Sequence, residues 1–159
     1  MTMNYRTIMI ALSVLGMATA CGGPGESAQI PEAQPAGVTS KDIGDHVVHF
    51  SAQLTDQLSP EIAHAYNIVR SNNIAMLSVS VLSKTDNKSV PAEVTVQIVN
   101  LTGQLKDVTM QRIDEQEAIY YIGKVPVANR ETLNFDISVK PEGVDKPSKI
   151  RFQREFYTD

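Results

Sequence analysis

One cysteine, Cys21, is all this chain has, and tryptophan is missing altogether. A single thiol forms no internal disulfide, so whatever folds here is held by its apolar core alone. The missing tryptophan and cysteine pair also exclude the pattern of an antibody-type domain. No long apolar run stands near the start: Ile8–Ala20 carries no charge but is only about 13 residues, short of the roughly 20 a membrane-spanning helix needs. Positive charge is in short supply, with 14 Lys and Arg against 18 Asp and Glu. That balance argues against a nucleic-acid partner and against a basic patch for anionic lipid. Motifs of common chemistry are absent too. There is no G-x-S-x-G elbow, no glycine-rich phosphate loop and no H-E-x-x-H.

What is present begins with an address. Arg6 precedes the apolar run, which has the length of a secretory signal's apolar region. Ala18-Thr19-Ala20 fits an ordinary A-x-A cleavage site, and it also stands directly before Cys21. Ala18-Thr19-Ala20-Cys21 resembles a bacterial lipobox, although Ala18 replaces the commoner leucine. On that reading residues 1–20 are a lipoprotein signal peptide and Cys21 is the acylated first residue of the mature chain. The competing reading is a free exposed thiol, which is unusual in an exported protein. With three acyl chains at about 0.8 kcal/mol per buried methylene, anchoring to the membrane would be permanent. Gly22 follows the cysteine; under the enteric sorting rule, the absence of aspartate there implies the outer membrane, facing the periplasm.

Residues 21–43 read as a disordered tether. From Gly22 to Lys41 they are rich in Gly, Pro, Ser, Ala, Gln and Glu and poor in large apolar residues. A flexible coil of about 20 residues reaches roughly 25 Å, so the folded body would hang close to the membrane.

Residues 44–159 are long enough for one domain with a proper core. His46, Val48, Phe50, Ala52 and Leu54 alternate with polar residues, the period of a half-buried strand. Ser59-Pro60-Glu61 is a helix start, a hydroxyl cap followed by proline and an acid. Ile62, Ala65, Tyr66 and Val69 then recur at helical spacing. Further strands are expected over 74–83, 90–99, 105–113, 118–125, 132–139 and 149–157, with polar turns between. In the fourth of the seven, Val108 and Met110 should face inward. In the last, Arg154 interrupts the apolar alternation and marks either a bulge or an inward charge that discourages edge pairing. Seven strands with one short helix after the first predict an all-β, immunoglobulin-like antiparallel sandwich.

Several segments together carry a family resemblance. They include Gly44-Asp45 with His49-Phe50, Ala65 to Ser71, Asn100-Leu101-Thr102-Gly103-Gln104-Leu105 and Ala118 to Tyr121. Glu131 to Asp136, Pro141-Glu142-Gly143, Arg151-Phe152-Gln153 and Phe156-Tyr157 complete them. The chain resembles the domain of unknown function 4426 family, exported proteins of Gram-negative bacteria. The resemblance covers the folded body and implies a single secreted domain. It implies no activity and supplies no catalytic residue.

Candidate sites are few. His46 and His49 are three apart on a strand and leave opposite faces, which ill suits a shared metal. His64 follows Glu61 by one turn on the helix; an exposed helical pair is the plainer reading. Met76 and Met110 suit core packing better than a copper site. Asp107, Asp114, Glu115 and Glu117 form an acidic run near a turn, the usual look of a solvated edge. Tyr66, Tyr120, Tyr121 and Tyr157 join an apolar ring to a polar tip, which serves both cores and interfaces. Tyr120 and Tyr121 must face opposite sides, so one is expected outside. There, with Arg70 or Arg112 nearby, it would form a partner-binding patch. The sequence therefore predicts a non-catalytic envelope lipoprotein, without cofactor, that binds another envelope component by a sheet face or an edge strand. The alternative is a metal-binding or small hydrolytic periplasmic protein using His46, His49 or His64.

Overall fold

The computed structural model describes residues 37–159. The signal-like segment, Cys21 and most of the tether lie outside the described residues. Two antiparallel sheets face each other. The first orders β1 (Ser40–Ile43), β2 (His46–Leu54), β3 (Ile74–Ser83), β7 (Ala118–Pro126) and β6 (Gln111–Glu115). The second orders β5 (Leu105–Lys106), β4 (Ala92–Asn100), β8 (Glu131–Pro141) and β9 (Ser148–Phe156). Naming β2, β3, β4, β6, β7, β8 and β9 as A to G gives A-B-E-D against C-F-G, the immunoglobulin-like order, with β5 beside C.

The alternation of the sequence is what builds the core. Val48, Phe50, Ala52 and Leu54 of β2 are buried, and Leu133, Phe135, Ile137 and Val139 of β8 meet them from the other sheet. All four phenylalanines gather between the sheets. Phe152 stacks on Phe135 with ring centroids 4.6 Å apart and tilts against Phe50 at 5.0 Å, while Phe156 meets Phe135 edge-on at 6.4 Å. Such aromatic contacts add about 0.5–1.5 kcal/mol each beyond area burial.

Nine strands stand among the described residues where seven were expected, for two reasons. The fold opens with β1, inside the span read as tether, because Gly44 at φ 58° turns the chain back on itself and pairs Ile43 with His46. The expected strand over 105–113 is two strands in different sheets, β5 and β6. The chain crosses between the sheets at 107–110, so Val108 and Met110 are half-buried plugs against the core. Both reach Gly123 of β7, where a Cβ would stand 2.6 Å from Met110 Sδ and 2.7 Å from Val108 Cγ2. Arg154 marks no bulge: the β8–β9 register runs unbroken from Glu131↔Phe156 to Val139↔Ser148. It is a charge at an inward position, exposed at the sheet margin.

A second, smaller core lies on the outer face of the first sheet. After a 3-10 turn (Thr55–Gln57) the helix α1 (Pro60–Ala65) begins as the sequence indicates, Ser59 Oγ accepting from the Ile62 N–H. It ends by a Schellman turn: the Ile68 N–H reaches the Ala63 carbonyl and the Asn67 N–H that of His64, with Asn67 at φ 54°. That turn buries Ala63 and Ile68 with Leu58 and Met76, and leaves Ile62 and Val69 exposed. The expected apolar face of the helix is thus corrected. A helix of six residues has room for one buried position, and the turn after it points the next apolar residue inward.

Candidate functional site

The outer face of the first sheet changes character along its width. Residues paired across antiparallel strands share a face. His49 of β2 pairs with Ser80 of β3, and Ser51 with Ser78, so that half is small and polar. Ser78 then pairs with Ile122 of β7, and Tyr120 with Ile113 of β6. The solvent side of an antiparallel sheet is ordinarily polar. Here it turns apolar over β7 and β6, beside α1.

The helix makes the second wall. Ile62, Tyr66 and Ile68 stand over Met76 and Ile122, and Ile113 and Tyr120 complete a groove of about 340 Å³. Ile62 is 47% exposed and Tyr120 36%, so both are open to a partner. The rim carries one carboxylate, that of Glu115. The Tyr66 hydroxyl donates to Glu115 Oε2, linking the end of the helix to the end of β6. That carboxylate acceptor, above all, pushes the Tyr66 phenol above its usual range. Arg112 and Asp114 alternate with Ile113 and Glu115 along β6 and so lie on its other face, where Arg112 Nη2 is 2.6 Å from Asp114 Oδ1. A shallower hollow continues across Tyr120 toward Thr39, His49, Ser51 and Ser80.

The two adjacent tyrosines separate cleanly. Tyr120 faces the groove. Tyr121 is 5% exposed, within the main core, and its hydroxyl accepts from the Ala92 N–H at 2.7 Å. Tyr121 is therefore not available to a partner; it ties β7 of one sheet to the start of β4 in the other. Arg70 lies in the loop after α1, where Nη2 donates to the Asp56 carbonyl at 2.5 Å, and it does not line the groove. Tyr157 is exposed beyond β9, far along the chain from this face. Cys21 lies outside the described residues.

The histidines are not brought together. His46 pairs with Ser83 and His49 with Ser80, on opposite faces of β2, and His64 is exposed on α1. Among the described residues, no three His, Cys, Asp or Glu side chains converge as a metal site would require. Met76 belongs to the core under α1 and Met110 to the main core.

Sequence reasoning missed Ile62, Ile113 and Ile122 as groove residues, reading Ile62 only as one of four positions that recur at helical spacing. It also missed the polar cluster behind the family motifs. Asn100 Oδ1 accepts from the Thr102 and Gln104 N–H groups, closing the Asn100–Leu105 loop around Gly103 at φ 82°. Asn100 Nδ2 donates to Glu131 Oε1, which also takes Lys106. These motif residues hold one end of the second sheet together.

The family model described as a domain of unknown function (DUF4426) matches residues 40–159. No curated protein matches the chain. A DUF4426 family protein of Pseudomonas aeruginosa, known from its crystal structure, is 31% identical with a TM-score of 0.65; the match covers 76% of this chain and 94% of that one. FetP of uropathogenic Escherichia coli superposes at a TM-score of 0.52 with 10% identity, over 74% of this chain and 92% of that one. A copper-bound variant of FetP gives 0.53 with 9% identity, over 74% and 93%. At that identity the likeness to FetP is one of fold.

Proposed function

We propose that this chain, which belongs to the DUF4426 family, is a non-catalytic binding module of the bacterial envelope. It is held to the outer membrane by acylated Cys21 and takes a partner protein in the groove between α1 and Tyr120. The observation that carries the reading is the switch on the outer face of the first sheet, from Ser51, Ser78 and Ser80 to Tyr120, Ile122 and Ile113. An apolar trough on a solvent-facing sheet, rimmed by polar groups, marks an interaction site. The one carboxylate of its lining selects the occupant. Glu115 stands at the mouth with Tyr66, and no basic side chain lines the groove among the described residues. The partner is therefore a protein segment that places two or three apolar side chains beside a lysine or arginine. The lipobox at Ala18-Thr19-Ala20-Cys21 and the polar tether support a membrane-proximal position.

The test uses the full chain in its native envelope, with a photo-reactive amino acid at position 62 and, as control, at 146. Mass mapping of the crosslink is expected to find one segment with apolar residues next to a basic one, and to lose it when Ile122→Asp is added. Equal crosslinking from 146, or a mapped segment without that chemistry, contradicts the proposal. Intact mass of the membrane-extracted chain tests the anchor: a diacylglyceryl and an amide-linked acyl group on Cys21 are expected, and an unmodified chain beginning there refutes it.

A further inference from the structure

A second surface, on the other sheet, carries its own inference. β9 is nine residues long and forms one margin of the four-stranded sheet. Consecutive residues of a strand turn their backbone N–H and C=O groups to opposite sides. The Asn100 N–H bonds Gln104 on the β5 side. Carried through the registers of β4, β8 and β9, this aims Arg154, Phe152 and Ile150 at β8. Arg151, Gln153 and Glu155 therefore present their backbone groups to the free margin. Lys149 agrees with this parity, since its carbonyl accepts from Lys41 Nζ at 2.9 Å. Among the described residues no strand pairs with this margin.

We propose that this edge pairs with itself: two copies join β9 to β9, antiparallel and centred on Phe152, so that Lys149 of each copy faces Glu155 of the other. Charge selects the second copy as occupant. Only residues with outward backbone groups form the bonded pairs, and centring on Phe152 overlaps all nine residues of the strand. It sets Lys149 against Glu155 twice and Arg151 against Gln153 twice. Arg151 keeps Asp136, whose Oδ2 lies 2.9 Å from its Nη2. On the inner face Phe152 meets Phe152 and Arg154 meets Ile150. Centring on Arg151 or Arg154 instead would oppose two guanidinium groups, so the inward charge of Arg154 selects the register rather than forbidding pairing. Lys41 need not leave, because a carbonyl oxygen has two lone pairs. The tether is a poor rival, since Pro31 and Pro35 lack the N–H groups a ladder needs. The result is a continuous eight-stranded sheet that leaves both Tyr120 grooves open.

Sedimentation equilibrium of the full chain carrying Cys21→Ser, so that acyl chains play no part, tests this. A monomer–dimer equilibrium is expected. Lys149→Glu and Glu155→Lys should each weaken the dimer about tenfold, and the double substitution should restore it to within about threefold. Gln153→Pro should abolish dimerisation while the monomer still folds, because the Gln153 N–H makes no bond to β8 and the monomer loses only the exposed bond from Gln153 Nε2 to Asn134 Oδ1. A chain that stays monomeric at all concentrations overturns the proposal, including one whose β9 margin is protected from hydrogen exchange by the tether. So does a dimer indifferent to the charge swap.

Discussion

Lys106 Nζ lies 2.7 Å from Glu131 Oε1, and the two side chains are only 16% and 12% exposed. Glu131 also accepts from the Ala128 N–H through its other oxygen. Burial pushes its carboxyl up, but Lys106, the Ala128 N–H and Asn100 more than reverse this and hold it below the ordinary glutamate range. A depressed folded pKa stabilises in full above the unfolded value, about 4.3, and the stabilisation is lost as pH falls through the lower folded value. Urea midpoints measured from pH 6 downward should therefore fall in that window. Glu131→Gln should flatten this fall and, by leaving Lys106 only the Pro126 carbonyl and no anionic partner, cost about 2 kcal/mol at pH 7. An unchanged pH profile would show that the pair is idle.

The neighbouring tyrosines should respond in opposite ways. Tyr121→Phe leaves the Ala92 N–H without its acceptor and should cost about 1–2 kcal/mol, roughly 4–8 °C in the unfolding midpoint. Tyr120→Ala should move the midpoint by less than about 2 °C, since its ring is already partly in water. Thermal unfolding of both variants checks the contrast.

Gly123 is required by what crosses above it. Gly123→Ala should destabilise by about 1–3 kcal/mol, because its Cβ would collide with Met110 Sδ and Val108 Cγ2. Adding Val108→Ala should recover part of that destabilisation. A double-mutant cycle with no coupling would contradict the collision.

The groove wall depends on one cap. Ser59→Ala removes the acceptor for the Ile62 N–H and should cost about 1 kcal/mol. Hydrogen exchange should rise over α1 while the strands keep their protection.

The sandwich was legible because its strands alternate without interruption, Leu133, Phe135, Ile137 and Val139 being the plainest case. The change of sheet at 107–110 was not, because an alternating pattern continues through it while the chain passes from one layer to the other. Parity alone put Tyr120 and Tyr121 on opposite faces; which one faces out is set by pairing with Ile113 and by the reach of the Tyr121 hydroxyl to β4. The groove was hidden in the sequence because helical spacing at Ile62 does not tell a buried position from an exposed one. Its exposure follows from a Schellman turn at Asn67, a residue whose left-handed backbone a helical pattern does not announce.

The most direct test of the binding account is the affinity of the full chain for the crosslinked segment, made as a synthetic peptide. The account predicts that Tyr120→Ala and Glu115→Gln each weaken binding about tenfold while the unfolding midpoint holds. The first substitution removes an apolar anchor from the groove, and the second removes the negative charge at its mouth. Unaltered affinity in both variants would contradict it.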